Sequence, residues 1–420
     1  MFKTISTSFL LRLAGVVSAM IISIIIGRYL GAAELGIWAS IRSALALIMQ
    51  VSFLGTQKEI VRLFSLKKQK NEDTMFLLNT IFVAILTGII TSTVLFSYEE
   101  YTGYEYKNGR EILLIALFGL PFQITNGILA SALIGKKKLF IASLGKSTLL
   151  PLVNLLLIFI LGLGRVSLLS LMLLHTTSKI ITTLVLCYCI RPYISIRKAK
   201  IKFSVILDMV RKSQNLFVVS IADIAFSSVA ILILTYSSTS EDVGYFNVAI
   251  RLLLIISLIQ QVLNGYFSPK ITELYSTKQN LQLENVLLKS SKLMTIISIG
   301  IMLFFFLFGV EVLSIWGPDF VPAYLPLLIL TIGFSIDLSS GITSPMLYLT
   351  KKSKELKNVS ITSLFLIMFF GIYFTSKFGL IGLALVVAVT KSIEAMMKTY
   401  FIKKQLGISV NLFAKWFIND

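Results

Sequence analysis

Apolar runs of roughly 17 to 26 residues, separated by short polar loops, fill almost the whole chain, and about 20 such residues cross the ~30 Å hydrocarbon core of a bilayer. The pattern predicts helices over 9–30, 35–57, 74–97, 112–134, 141–163, 167–190, 214–236, 245–267, 293–316, 324–349, 359–376 and 380–402. The expected fold is therefore an all-α membrane protein of 12 transmembrane helices, with little mass outside the membrane.

Composition agrees. The 420 residues are 56% hydrophobic and only 14% charged, whereas soluble domains carry about 25% charged residues. The formal net charge of +19 would suggest nucleic acid in a soluble protein. Here loop lysines and arginines that set topology account for it, and no nucleic-acid partner is expected. Of the 39 Lys and Arg, 27 fall in one set of loops and tails and five (Arg28, Lys107, Arg110, Arg165, Lys377) in the opposite set. That asymmetry places both termini in the cytoplasm. The first span is too long for a signal-peptide core, and Arg12 interrupts it. Cys187 and Cys189 lack metal-ligand company and are given no role.

The chain divides near residue 200 into lobes of six spans, 1–200 and 201–420. Glu34-Leu-Gly36 reappears as Asp242-Val-Gly244, and the same offset of 208 maps Trp38 to Phe246, Arg62 to Lys270 and Lys70 to Lys278. Six spans per half means that both halves enter the membrane in the same sense. This is a parallel repeat, for which a substrate site between the halves is expected. Trp38, Trp316 and Trp416 are expected as interfacial anchors. Segments 58–66, 281–292 and 405–418 mix Leu, Ile and Phe with Lys, as helices lying along the inner interface would.

Enzymatic constellations are nearly absent, and no enzyme activity, bound cofactor or metal is expected. His175 is the single histidine, and two cysteines two residues apart cannot complete a zinc site. Gly145-Lys146-Ser147 resembles the end of a phosphate-binding loop, but Phe140 stands where the earlier glycine is required. Energy must then come from an ion gradient, substrate mass action or a partner.

The informative residues are charges at membrane depth, where each costs about 2.5–3.5 kcal/mol even on insertion scales and so faces a cavity or a partner. The cations are Arg12, Arg42, Lys146, Lys179, Arg251 and Lys391, with Lys398 near a span end; the acids are Asp223, Asp337 and Glu394. Arg12 and Lys146 lie near the cytoplasmic end, where cavity lining and outward snorkelling both fit. Lys391 and Glu394, three apart on one helix face, are placed to neutralise each other. Arg42 and Arg251 occupy repeat-equivalent spans beyond easy snorkelling. Lys179 is near mid-membrane, one turn after His175 on the same face. Together these cations predict a lining that accepts a phosphate-bearing headgroup, because planar guanidinium groups suit phosphate. Asp223 and Asp337 are candidates for proton or sodium coupling, as is His175. A buried ion pair is the other reading of the two aspartates.

Gly27-Arg-Tyr-Leu-Gly-Ala-Ala-Glu-Leu-Gly-Ile-Trp-Ala-Ser-Ile-Arg-Ser resembles the first signature of polysaccharide flippases of the multidrug/oligosaccharidyl-lipid/polysaccharide (MOP) exporter superfamily. Asp242-Val-Gly-Tyr-Phe-Asn-Val-Ala-Ile-Arg251, Ser268-Pro-Lys-Ile-Thr-Glu-Leu-Tyr, Ile315-Trp-Gly-Pro-Asp-Phe and Lys377-Phe-Gly-Leu-Ile-Gly-Leu-Ala are similar to it in the second half. The resemblance implies two six-helix lobes working by alternating access on an undecaprenyl-diphosphate-linked oligosaccharide, for O-antigen (lipopolysaccharide) or capsule synthesis, with ion coupling. A glycan polymerase and a chain-length regulator are the partners it implies, and Arg42 and Arg251 the positions matching its cationic cavity. Lipid II flippases of the superfamily usually have 14 spans and an arginine cluster in the first, unlike this chain. The alternatives are a cation-coupled drug or small-solute exporter and, from another class, a membrane scaffold or polymerase subunit.

Overall fold

The computed structural model describes residues 2–65, 70–102, 109–195, 228–350 and 353–411, together with Arg211, Phe217 and Phe226. Among the described residues there is no strand. Nine stretches are long and apolar enough to cross a membrane. Two of them, Leu10–Ser52 with 43 residues and Lys354–Leu406 with 53, are each long enough for two passes. Both are broken at a glycine in the left-handed region, Gly31 (φ 89°) and Gly379 (φ 56°). At Gly379 the break is a reversal. A Cβ on Gly382 would lie 2.2 Å from the Phe374 carbonyl oxygen, whereas residues eight apart in an unbroken helix are about 12 Å apart along the axis. Of the expected span 214–236, only the Ser228–Ser237 helix is described as a continuous element.

The chain forms two compact units: Met1–Leu30 with Ile41–Ile224, and Gly31–Ser40 with Ala225–Asp420. The boundary expected near residue 200 falls outside the described residues.

Unit 1 contains most of α1 (Phe2–Ser52), then α2 (Thr56–Ser65), α3 (Lys70–Thr102), α4 (Gly109–Phe118), α5 (Leu120–Gly135), α6 (Leu139–Ser143), α7 (Leu149–Leu161) and α8 (Leu168–Ile190). The span expected at 112–134 is two helices meeting at Gly119, with Pro121 in the first turn of the second, where its missing N–H costs nothing. The span expected at 141–163 is also interrupted. Leu144–Thr148 forms a π-helical turn in which the Leu149 N–H reaches the Leu144 carbonyl. The helix α2 differs from an interfacial helix lying in lipid. Its apolar face (Ile60, Leu63, Phe64) is buried against α5, where Gly135 leaves room for Phe64.

Unit 2 contains the Gly31–Ser40 segment of α1, α9 (Ser228–Ser237), α10 (Ser240–Ser276), α11 (Asn280–Ser314), α12 (Tyr324–Ser339), α13 (Thr343–Leu349) and α14 (Ser353–Leu406). The span expected at 324–349 is broken at Gly341 (φ 83°). Residues 281–292 are the first turns of α11, not a separate surface helix. Trp38 and Trp316 are 1% and 0% exposed. They fill the protein interior instead of anchoring at an interface, and Trp416 lies outside the described residues. The repeat glycines explain why part of α1 packs in unit 2. A Cβ on Gly36 would lie 1.8 Å from the Ser240 carbonyl oxygen, and one on Gly244 2.2 Å from that of Ala32. Ala32 and Ser240 are themselves related by the offset of 208. The two signature segments therefore cross reciprocally, backbone against backbone, as small residues allow in membrane helices.

Candidate functional site

The helix α8 supplies the centre of the polar cluster in unit 1. It starts at Ser167, whose hydroxyl oxygen accepts from the Ser170 N–H while Ser170 Oγ accepts from the Ser167 N–H. His175, Ser178, Lys179, Thr182 and Thr183 then recur at helical spacing on one face, and all are buried. Thr176 and Thr183 donate to the carbonyls of Ile115 (3.1 Å) and Phe122 (3.2 Å), tying this face to the α4–α5 break. Gly119 at that break leaves space for the lysine. A Cβ there would approach Lys179 Cδ to 3.1 Å and Thr176 Oγ1 to 3.0 Å.

Lys179 is 0% exposed, and its Nζ has no hydrogen-bond partner among the described residues. Two asparagines contact the same helix. Asn126 Nδ2 donates to the Lys179 carbonyl at 3.4 Å, and Asn154 Nδ2 lies 3.3 Å from His175 Nδ1; the amide oxygens of both are buried without partners. Arg42, half-buried on α1, acts electrostatically on both Lys179 and His175. The cluster thus collects a guanidinium, an amine and an imidazole, and among the described residues no carboxylate is bonded to the lysine. Burying a bare charge costs several kcal/mol, so a negative ligand is the chemical complement of this arrangement.

Unit 2 disposes of its charges differently. Lys398 Nζ donates to Asp337 Oδ1 (2.8 Å), Glu394 Oε1 (3.2 Å) and Ser344 Oγ (3.4 Å). Lys391 Nζ donates to Glu394 Oε2 at 2.8 Å and lies over the rings of Phe226 and Phe334, 4.1 and 5.8 Å from their centroids. Two lysines and two acids thus close a neutral network between α12 and α14, which places Lys391 and Asp337 inside an ion-pair lattice. Arg251 is half-buried on α10, with Nε donating to Asn247 Oδ1 at 2.9 Å. Arg12 and Lys146 are exposed in unit 1. Asp223 lies outside the described residues. Sequence reasoning missed Asn126 and Asn154, which carry no charge, and set Lys398 aside as near a span end, although its i,i+4 spacing from Glu394 marks it as a pair.

A separate cavity of about 310 Å³ opens between α3 and the α4–α5 break, lined by Ile85, Gly88, Ile89, Leu117 and Pro121. It contains no charged side chain and is not the cationic site. Among the described residues, no group of three or more His, Cys, Asp or Glu is placed to hold a metal ion.

The sequence profile of the polysaccharide biosynthesis protein family matches residues 2–274. The chain belongs to that family. No curated protein matches it. Solved structures share the fold of this family member at low identity. An inward-facing multidrug resistance MATE family transporter of the MOP superfamily superposes with a TM-score of 0.76 at 16% identity, covering 95% of this chain and 98% of that one. The lipid II flippase MurJ in an inward closed conformation gives 0.72 at 17% identity, covering 96% and 88%. A MOP superfamily transporter from Pyrococcus furiosus, described as having a binding pocket of reverse polarity that suggests a different function, gives 0.64 at 15% identity, covering 96% of each. The fold is that of the MOP transporters, and the chain is a multi-pass membrane protein of polysaccharide biosynthesis.

Proposed function

We propose that this protein is a flippase moving undecaprenyl-diphosphate-linked oligosaccharide repeat units across the cytoplasmic membrane for O-antigen or capsular polysaccharide synthesis. One observation carries the reading: the buried, unpartnered ammonium of Lys179, grouped with Arg42 and His175 in unit 1. A diphosphate supplies the acceptors this group lacks, and charge-assisted bonds to it are the strong class. Arg42 takes the same headgroup through its planar fork.

An organic cation would meet like charge at the unit 1 cluster, which disfavours the drug-exporter reading despite the shared fold. Coupling to a proton or sodium gradient belongs to the same proposal, with His175 and Asp223 as candidates. Asp337 is the weaker one, since Lys398 already supplies its cation. The test is deletion of the gene with complementation. Lipid-linked oligosaccharide should accumulate on the inner leaflet while surface glycan disappears, and the wild-type gene should reverse both. Unchanged surface glycan with lost resistance to organic cations would replace this reading with drug export.

A further inference from the structure

A second group of cations occupies unit 1 near the start of α1, the end that loop charge assigns to the cytoplasm. Arg12 on α1, Lys58 on α2 and Lys146 on the π-helical turn are all exposed, and the charges of Arg12 and Lys58 both act on Lys146. Sequence separates the three by up to 134 residues; the fold brings them together.

Their convergence is built rather than incidental. Thr148 Oγ1 donates to the Leu11 carbonyl at 2.7 Å, and a Cβ on Gly15 would lie 2.1 Å from the Ser147 carbonyl oxygen, so α1 and the π turn are in backbone contact. The π turn itself carries an extra residue just before Pro151, a distortion frequent at functional sites. It is braced by the Ser147 hydroxyl, which donates to the Ser143 carbonyl at 3.0 Å. On the third side, the buried apolar face of α2 fixes Lys58.

The described acids at this end, Glu59 and Asp73, are already engaged. Glu59 accepts from Arg62 Nε (2.9 Å) and Nη2 (2.5 Å), and Asp73 accepts from Lys136 (2.6 Å). Among the described residues, no carboxylate is bonded to Arg12, Lys58 or Lys146. Three like charges held close without a counter-charge repel one another, and a multivalent anion removes that cost. Exposed apolar side chains lead away from the group along α1 (Leu10, Leu13, Val17) and α7 (Leu152, Leu156, Phe159). The complement of such a surface is an amphiphile with a multiply charged head and a hydrocarbon chain.

We propose that Arg12, Lys58 and Lys146 form a receiving site that captures the diphosphate of a lipid-linked substrate from the membrane, separate from the Arg42–His175–Lys179 cluster. This rests on the flippase reading and adds a first step to it. The headgroup is gathered at an exposed, pre-assembled cationic site before it reaches the buried one.

The full-length protein in nanodiscs of zwitterionic lipid would be titrated with farnesyl diphosphate, farnesyl monophosphate and phosphatidylglycerol. Wild type should prefer the diphosphate. Arg12→Gln/Lys58→Gln/Lys146→Gln should weaken diphosphate binding by about tenfold or more, as loss of several charge-assisted contacts implies. In an Arg42→Gln/Lys179→Met background, which removes the buried cluster, the same three substitutions should weaken the diphosphate binding that remains. Should the triple variant not fold, Lys58→Glu alone, on the exposed face of α2, should weaken diphosphate binding by about threefold or more through charge reversal. Undiminished binding by these variants overturns the receiving site and leaves the flippase reading standing. Equal binding of phosphatidylglycerol reduces the group to a general lipid contact and overturns it as well. A wild-type protein that ignores the diphosphate altogether removes the flippase reading with it.

Discussion

Replacing Lys179 with Met should make the protein more stable and less active. The thioether is unbranched and close in length to the lysine stem, so it fills the space between Gly119 and Thr176 without a new polar group. What disappears is a 0% exposed amine with no hydrogen-bond partner. Leaving such a donor unsatisfied costs about 1–3 kcal/mol, more when it is charged. Relief of that cost should raise the melting temperature of unit 1 by roughly 2–12 °C for a unit of its size. In transport, the variant loses a charge-assisted contact worth about 1.5–3 kcal/mol, which corresponds to about 10- to 150-fold in export rate. Thermal unfolding of purified protein gives the first quantity. Surface glycan and inner-leaflet lipid-linked oligosaccharide, measured in a complemented deletion strain at matched protein level, give the second. Export at the wild-type rate would refute the reasoning. So would a fall in melting temperature accompanying the loss of export, because the lysine would then be a structural element.

Asp337→Asn leaves the buried ammonium of Lys398 with Glu394 alone and should destabilise unit 2 by about 3 kcal/mol, near the low end for a broken buried pair. Adding Lys398→Met should restore most of that stability in denaturation experiments, and no recovery would deny the coupling. Gly244→Ala places a Cβ 2.2 Å from the Ala32 carbonyl oxygen; this overpacking should cost about 1–3 kcal/mol, seen as a lower melting temperature. Arg251→Gln should cut export by roughly tenfold with little change in melting temperature, and Arg251→Lys should recover only part of it because the planar fork is gone.

Hydropathy made the membrane class and most of the helices legible, since about 20 apolar residues have few other uses. It did not reveal the interruptions at Gly119, Leu144–Thr148 and Gly341. Hydropathy averages over a window, while a break depends on which backbone groups find partners locally. The offset of 208 located Gly36 and Gly244, and the reciprocal contacts with Ser240 and Ala32 give that periodicity its physical meaning. The tryptophans misled because an aromatic at a span end suits either an interface or a well-packed interior. Only the neighbours decide between them.

The charged positions show where sequence stops. Arg42, Lys179 and Asp337 are all conspicuous as charges at membrane depth, yet their circumstances diverge in a way that spacing alone cannot give. In unit 2, Lys391, Glu394, Lys398 and Asp337 satisfy one another, partly through i,i+3 and i,i+4 neighbours that sequence can pair and partly through a contact between residues 61 apart that it cannot. In unit 1, no described acid is bonded to Lys179, and the buried amide oxygens of Asn126 and Asn154 have no partner among the described residues. Since insertion charges both sets of residues a comparable cost, selection for stability alone would favour the unit 2 solution in both places. The buried Lys179, to which no described carboxylate is bonded, is therefore the feature that motivates the proposal of an anionic ligand.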